Sequence, residues 1–305
     1  MLHVRVITPP SLSGRLQQFL LSDQAVTHLV VLPSAAKDPA GDVVEFDVVR
    51  EGATAVLDRL RELGVGGRGA IVVEKVDAAM SASAERAARR TPGLGVDAVV
   101  WHEIEQQTGE ETRLSVAFLT FMSVAMVIAA IGVLLDQPIL IVGSMVVGPE
   151  FGPLAALCVG LVRRKPFLIR RSTVALAVGF PVGMVVTVIA VWLLTAAGLV
   201  NESMLLAERP LTDFIWRPDA LSWVIGFLGG IAGILSLTSA KAGTLVGVLI
   251  SVTTVPAAAN AAVAVAYGVS DEAYGSMLQL VINMASIILA GVLTLLVQRL
   301  AWRRR

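Results

Sequence analysis

The chain has little charge, few aromatics, three histidines and a single cysteine. Only 16% of its 305 residues are Asp, Glu, Lys or Arg, against about 25% in an ordinary soluble chain. Together with 55% hydrophobic residues and a mean hydropathy of +0.77, this excludes an ordinary soluble protein and indicates a membrane protein. The lone Cys158 excludes a disulfide framework and a cysteine metal site. His3, His28 and His102 are scattered and form no ligand set, so no metal or cofactor is expected. P-loop, H-E-x-x-H and G-x-S-x-G motifs are absent, and no enzyme is expected. Residues 1–10 have no apolar core region, so no cleavable signal peptide is read and a cytoplasmic N-terminus is expected.

The zero net charge conceals an asymmetry. Residues 1–112 carry 11 basic and 16 acidic side chains; residues 113–305 carry 13 and 8. An acidic soluble part argues against a nucleic-acid partner. Its pattern of strand (3–8), helix (12–22), strands (26–32 and 43–49), helix (53–64) and strand (70–76) predicts a βαββαβ ferredoxin-like α/β domain over 1–77. Residues 33–42 read as a polar loop. Gly64-Val-Gly-Gly-Arg-Gly69 fits the G-x-G-x-x-G spacing, but it follows a helix and precedes a strand, so a turn is the better reading. Residues 78–96 read as a linker and 97–112 as an acidic amphipathic helix, together the connecting region 78–112.

Six apolar runs follow, at 114–135, 138–162, 172–200, 221–238, 241–266 and 275–297. They predict a six-span α-helical bundle over 113–298, with a basic tail at 299–305. Arg163, Arg164, Lys165, Arg170 and Arg171 fill one loop, Lys241 another, and Arg299 with Arg303–Arg305 the tail. The alternate loops hold Asp136, then Glu202, Glu208, Asp213 and Asp219, then Asp271 and Glu272. Basic residues mark the cytoplasmic side, which puts both termini there.

Displacing the chain by 107 residues brings the two halves into register. Leu114-Ser115 meets Leu221-Ser222, Ser144 meets Ser251, and Pro149 meets Pro256. Arg163–Lys165 then meets Ser270–Glu272, basic against acidic. Three spans per half with inverted loop charge is the pattern of a 3+3 inverted-topology repeat. In such folds the interrupted helices make the substrate or ion site near the midplane.

Both candidate interruptions are polar. The second run contains Ser144, Gly148, Pro149, Glu150, Gly152 and Pro153; the fifth contains Ser251, Thr253, Thr254, Pro256 and Asn260. Asn283 adds an amide in the sixth. Proline removes a backbone donor, and a carboxylate at membrane depth must be neutral, paired or hydrated. Glu150 therefore reads either as a proton carrier or cation ligand, or as a protonated acid bonded to a neighbouring helix. For Asn283 a helix–helix hydrogen bond is the favoured reading. Small-xxx-small pairs such as Gly179/Gly183 and Gly226/Gly230 allow close helix approach, within one bundle or between copies; a homo-oligomer is expected.

The stretch Gly143-Ser-Met-Val-Val-Gly-Pro-Glu-Phe-Gly-Pro-Leu154 and its continuation to Leu161 resemble the prokaryotic domain-of-unknown-function family numbered 389, uncharacterised hydrophobic membrane proteins. Val255-Pro256 and Leu280-Val-Ile-Asn-Met284 are similar to that family's second signature. The resemblance covers roughly 114–297. It implies a bacterial or archaeal cytoplasmic membrane and a soluble domain that varies, and it supplies no activity. Two positions depart from the family's pattern: an acid stands at Glu150 where the family has an apolar residue, and Ala257 stands where it has a second proline. The residues point to a transporter or channel for a small solute or ion under a cytoplasmic regulatory domain. The alternative is a membrane sensor or scaffold that transports nothing.

Overall fold

A computed structural model describes residues 1–76, 81–91, 99–238 and 254–303. Ser251 and Thr253, and the first half of the fifth apolar run, lie outside the described residues. The chain divides into two units, one formed mainly by Met1–Glu103 and one by the helices from Ile104 onward.

The first unit contains β1 (Leu2–Thr8), α1 (Pro10–Ser22), β2 (Val26–Lys37), β3 (Ala40–Val48), α2 (Arg50–Glu62), the short α3 (Val65–Arg68) and β4 (Ala70–Lys75). All three pairings are antiparallel and the sheet order is β2-β3-β1-β4. That order is the split βαβ arrangement the sequence pattern called for. Alternation along β1 buries Leu2, Val4 and Val6, which join Phe46, Leu16 and Leu60 in one core. Each such side chain contributes about 1.5–3 kcal/mol on burial.

Two expectations change here and a third holds. The polar loop at 33–42 is mostly strand, with the turn at Asp38-Pro39. Pro33 is tolerated because β2 is an edge strand and its pairing slips between Leu32 and Ala36, where no ladder donor is required. Part of the expected linker is helix α4 (Ala82–Arg90), capped by Ser81, with Ala87 in the core. The glycine-rich segment is a turn and one short helical turn. Gly64 takes φ +76°, and a side chain on Gly69 would meet the carbonyl of Ile7.

The second unit is helical: α5 (Trp101–Glu111), α6 (Val116–Leu134), α7 (Pro138–Val147), α8 (Phe151–Arg163), α9 (Pro166–Ala196), α10 (Glu202–Leu206), α11 (Ala220–Thr238), α12 (Thr254–Tyr267) and α13 (Ser270–Arg303). Helices α6, α9, α11 and α13 are each long and apolar enough to cross a bilayer. The pair α7–α8, bent by 53°, makes a fifth candidate span. This is a membrane protein with four or five spans among the described residues; the described part of α12 is too short to cross alone. Apolar side chains such as Val116, Ile139, Phe167, Val281 and Val297 are exposed, as lipid-facing residues must be.

Glycines set the helix approaches. A side chain at Gly179 would strike Phe118, and one at Gly183 would strike Met126, so α9 lies directly on α6. In the same way Gly226 meets Ser286 and Gly230 meets Ile287 and Ala290, so α11 lies on α13. The 107-residue displacement carries Gly179 to Ser286 and Gly183 to Ala290. Helix α13 starts at Ser270, so Asp271 and Glu272, read from sequence as loop residues, belong to its first turn.

Candidate functional site

The break between α7 and α8 is built by sequence. Gly148 precedes Pro149, and a residue before proline is pushed out of the helical region; Gly148 sits at φ −64°, ψ 130°. Helix α8 restarts at Phe151 with Pro153 as its third residue, where no intrahelical donor is needed. Pro181, by contrast, sits inside a continuous α9. Proline alone does not break these helices; the Gly-Pro step does.

Glu150 stands at the break and is 4% exposed. Its Oε1 accepts a hydrogen bond from Thr254 Oγ1 at 3.0 Å. Its Oε2 is buried and has no hydrogen-bond partner among the described residues. A side chain at Gly148 would run into that oxygen and would come within 3.0 Å of Val255. The break of the second apolar run thus meets the described start of α12. Ser144 turns away, donating to the carbonyl of its own helix at Ile141 at 2.6 Å. Pro256 lies within α12, which is buried from Thr254 to Ala264.

Glycine has a second purpose at Gly152. A side chain there would collide with Glu111 of α5, so the amphipathic helix touches bare backbone beside the break. Glu111 keeps contact with solvent, and desolvation of its carboxyl raises the pKa from its ordinary value, opposed by a hydrogen bond with Gln107. Further along, Glu105 accepts from Arg163 Nε at 2.8 Å at the C-terminal end of α8. Arg299 caps the same end, donating to the carbonyl of Val162 at 2.9 Å.

Asn260 does not join Glu150. It belongs to a second buried cluster on the far part of α12. Its Nδ2 donates to Glu272 at 2.9 Å and to Ser276 at 2.8 Å. Arg209 forms a buried ion pair with Glu272 and reaches Asn260 Oδ1 at 3.4 Å. Arg209 and Glu272 also line a cavity of about 520 Å³, shared with Leu205, Glu208, Trp216 and Asp271. Asn283 lies lower on α13, its Oδ1 accepting from Gln279 at 3.5 Å.

Sequence reading missed Arg209, Glu272, Ser276 and Gln279. From sequence Glu272 reads as a loop charge. The signal for the rest was present: Glu272, Ser276, Gln279, Asn283 and Ser286 recur at intervals of four and three. Among the described residues no group of histidine, cysteine or carboxylate side chains is arranged to hold a metal ion.

Residues 145–289, which contain the break, α12 and all five of these polar residues of α13, match the family model described as Domain of unknown function (DUF389). This membrane segment belongs to the DUF389 family. An uncharacterized protein of Methanocaldococcus jannaschii is 22% identical over 237 residues, covering 78% of this chain and 70% of the relative. No solved structure matches the chain. The DUF389 match begins at Met145, so Glu150, Thr254, Asn260 and Asn283 all fall inside it.

Proposed function

We propose that this protein is a transporter or channel for a small solute or ion, with its site at the α7–α8 break and the N-terminal unit as a cytoplasmic regulator. The observation that carries this reading is Glu150: a carboxylate buried at membrane depth that, among the described residues, has one hydroxyl donor, no basic partner and one unmatched oxygen. Leaving a carboxylate so placed is costly unless a proton or cation visits it.

Six spans follow if α12 is the end of a fifth crossing. The recurrence of the glycine contacts, Gly179 and Gly183 on α6 against Ser286 and Ala290 on α11, supports the 3+3 inverted repeat, because both pairings use positions related by the same displacement. The basic residues at the ends of α8 and α13 support cytoplasmic termini in a bacterial or archaeal cytoplasmic membrane. Close helix approach through small residues also suits a homo-oligomer.

The test is proton flux in proteoliposomes that carry the full chain and a trapped pH-sensitive dye, under an imposed potassium diffusion potential, in sodium and in potassium salts. Wild-type protein is expected to carry a flux that Glu150→Gln lowers at least tenfold while remaining monodisperse. A variant as active as wild type removes Glu150 from the mechanism. No wild-type flux in either salt favours a sensor or scaffold, in which the break only shapes packing.

A further inference from the structure

Helix α13 carries a polar face with no apolar interruption over four turns. At 100° per residue, Glu272, Ser276, Gln279, Asn283 and Ser286 fall within an arc of about 80° and extend about 21 Å along the helix. All five are 5% exposed or less. Polar side chains at membrane depth face the bundle interior or water, and here the face is turned toward α11 and α12: Ser286 lies against Gly226, and Ser276 receives Asn260. One acceptor on it, Gln279 Oε1, is buried without a partner.

The depth of this face relative to Glu150 follows from two registers. Helices α12 and α13 are joined by a short turn and run antiparallel, with Asn260 beside Glu272 and Ser276. Moving from Asn260 to Thr254, the partner of Glu150, descends about 9 Å. Moving from Ser276 to Asn283 descends about 10 Å. On the other side, Cys158 of α8 contacts the carbonyl of Ile288 and faces Gly291. Eight residues back along α8 from Cys158 is Glu150; eight back along α13 from Ile288 is Leu280. Both registers bring Gln279 and Asn283 to the level of Glu150.

The upper end of the face meets the cavity. Its floor is the Arg209–Glu272 pair, held by Asn260. Arg209 Nε is buried without a partner, so the guanidinium is held by only two of its three nitrogens. We infer that the face of α13 from Glu272 to Ser286 is the outer half of a path for a small cation, leading from this cavity to Glu150, with the Arg209–Glu272–Asn260 cluster as its outer gate. This inference rests on the transport reading. The sign of the cargo comes from the lining. Among the described residues, acceptor oxygens and the carboxylates of Glu272 and Glu150 face the path and Arg209 is bound to the first of them, while the cavity at its mouth sets Glu208, Asp213 and Asp271 against Arg217. An anion entering this low-dielectric space would be repelled at Glu272 and again at Glu150.

Thiol accessibility tests the path without knowledge of the cargo. In a Cys158→Ser background of the full chain, single cysteines replace Ser276, Gln279, Asn283 or Ser286, with Val281→Cys and Leu289→Cys as lipid-facing controls. Right-side-out vesicles are treated with silver ion, or with an anionic sulfonate-bearing methanethiosulfonate, and remaining thiols are counted by maleimide labelling after denaturation. Ser276→Cys and Ser286→Cys are near-isosteric and keep the test open if the larger changes misfold. The expected result is silver modification at least tenfold faster on the polar face than at Val281→Cys, and at least tenfold faster than by the anionic reagent. Adding Arg209→Gln with Glu272→Gln should speed silver access to Ser276→Cys further. Face thiols as inert as the controls in both backgrounds, or equal rates with both reagents, overturn the inference. If the face is inert but Glu150→Gln abolishes flux, transport stands and this route falls. If the face reacts and flux is absent, the path stands and the transport reading falls.

Discussion

Helix α9 lies on α6 and helix α13 on α11 through glycine contacts, and the two long helices treat their buried polar residues differently. On α9 the buried Ser172 and Thr187 donate to carbonyls four residues back at 2.8 Å and are satisfied within the helix, and only near its C-terminal end do Trp192 and Thr195 bond across to Ala266 and Tyr267 of α12. Its contact with α6 is made by glycines under Phe118, Met122 and Met126. On α13, Glu272 and Ser276 bind groups from other elements, and Gln279 keeps an unmatched oxygen. A dry helix and a polar one occupy positions related by a single displacement of the sequence. The lesson is that positions matched along the sequence need not carry matched chemistry; among the described residues the continuous buried polar face lies on α13.

Removing Arg209 should give the largest effect on that contrast. Arg209→Ala leaves Glu272 buried without its cation, and breaking a buried pair costs about 3–5 kcal/mol. Tryptophan-monitored thermal unfolding in detergent should drop sharply, and a second change, Glu272→Gln, should restore much of the loss. An Arg209→Ala variant as stable as wild type would mean that Glu272 is hydrated rather than paired. Next comes the dry side. Gly179→Val forces a branched side chain into Phe118 and should cost about 1–3 kcal/mol, read in the same melt. Ser172→Ala, which removes only a bond to its own helix, should change stability by less than about 0.5 kcal/mol. Ser276→Ala on the polar helix should cost more, because Asn260 would lose an acceptor.

The smallest effect concerns pH at Glu111. Burial raises its pKa, so the docked state favours the protonated form. The contact of α5 with Gly152 is therefore strongest below the ordinary carboxylate pKa and weakens as pH rises through the raised value. Glu111→Gln should slow hydrogen exchange of the α5 amides at pH 7 and make no difference at pH 4. Equal protection in both proteins at both values would place the carboxyl in free water.

Much of this fold is legible in sequence because it is written in local signals. The Gly148-Pro149 step forecasts the break, alternation forecasts β1 and β3, and long apolar runs forecast α6, α9, α11 and α13. Glu150 was visible as an acid in an apolar run. Its partner Thr254, 104 residues away, was visible only as a polar residue in the matching segment. What stayed hidden was set by distant pairing. Arg209 and Glu272 are 63 residues apart, and each alone looks like an ordinary loop charge. Pro33 looked like a loop marker because nothing nearby says that β2 lies at the edge. Asn260 was assigned to the Glu150 site on spacing, whereas its side chain points to α13.

Helix α12 has one more consequence. From Ala257 to Ala264 it is alanine except for Asn260 and Val263, and every one of these side chains is enclosed. A helix so thin and so surrounded has almost no vocabulary. Any larger residue meets neighbours on whichever side it points, and glycine would loosen the backbone by about 1 kcal/mol. In a saturation library selected only for accumulation in the membrane, these eight positions should form the emptiest band of the map, sparser than α8 and far sparser than the lipid-facing rows of α9. What reads in the sequence as the blandest stretch of the protein would be the one that tolerates the fewest spellings.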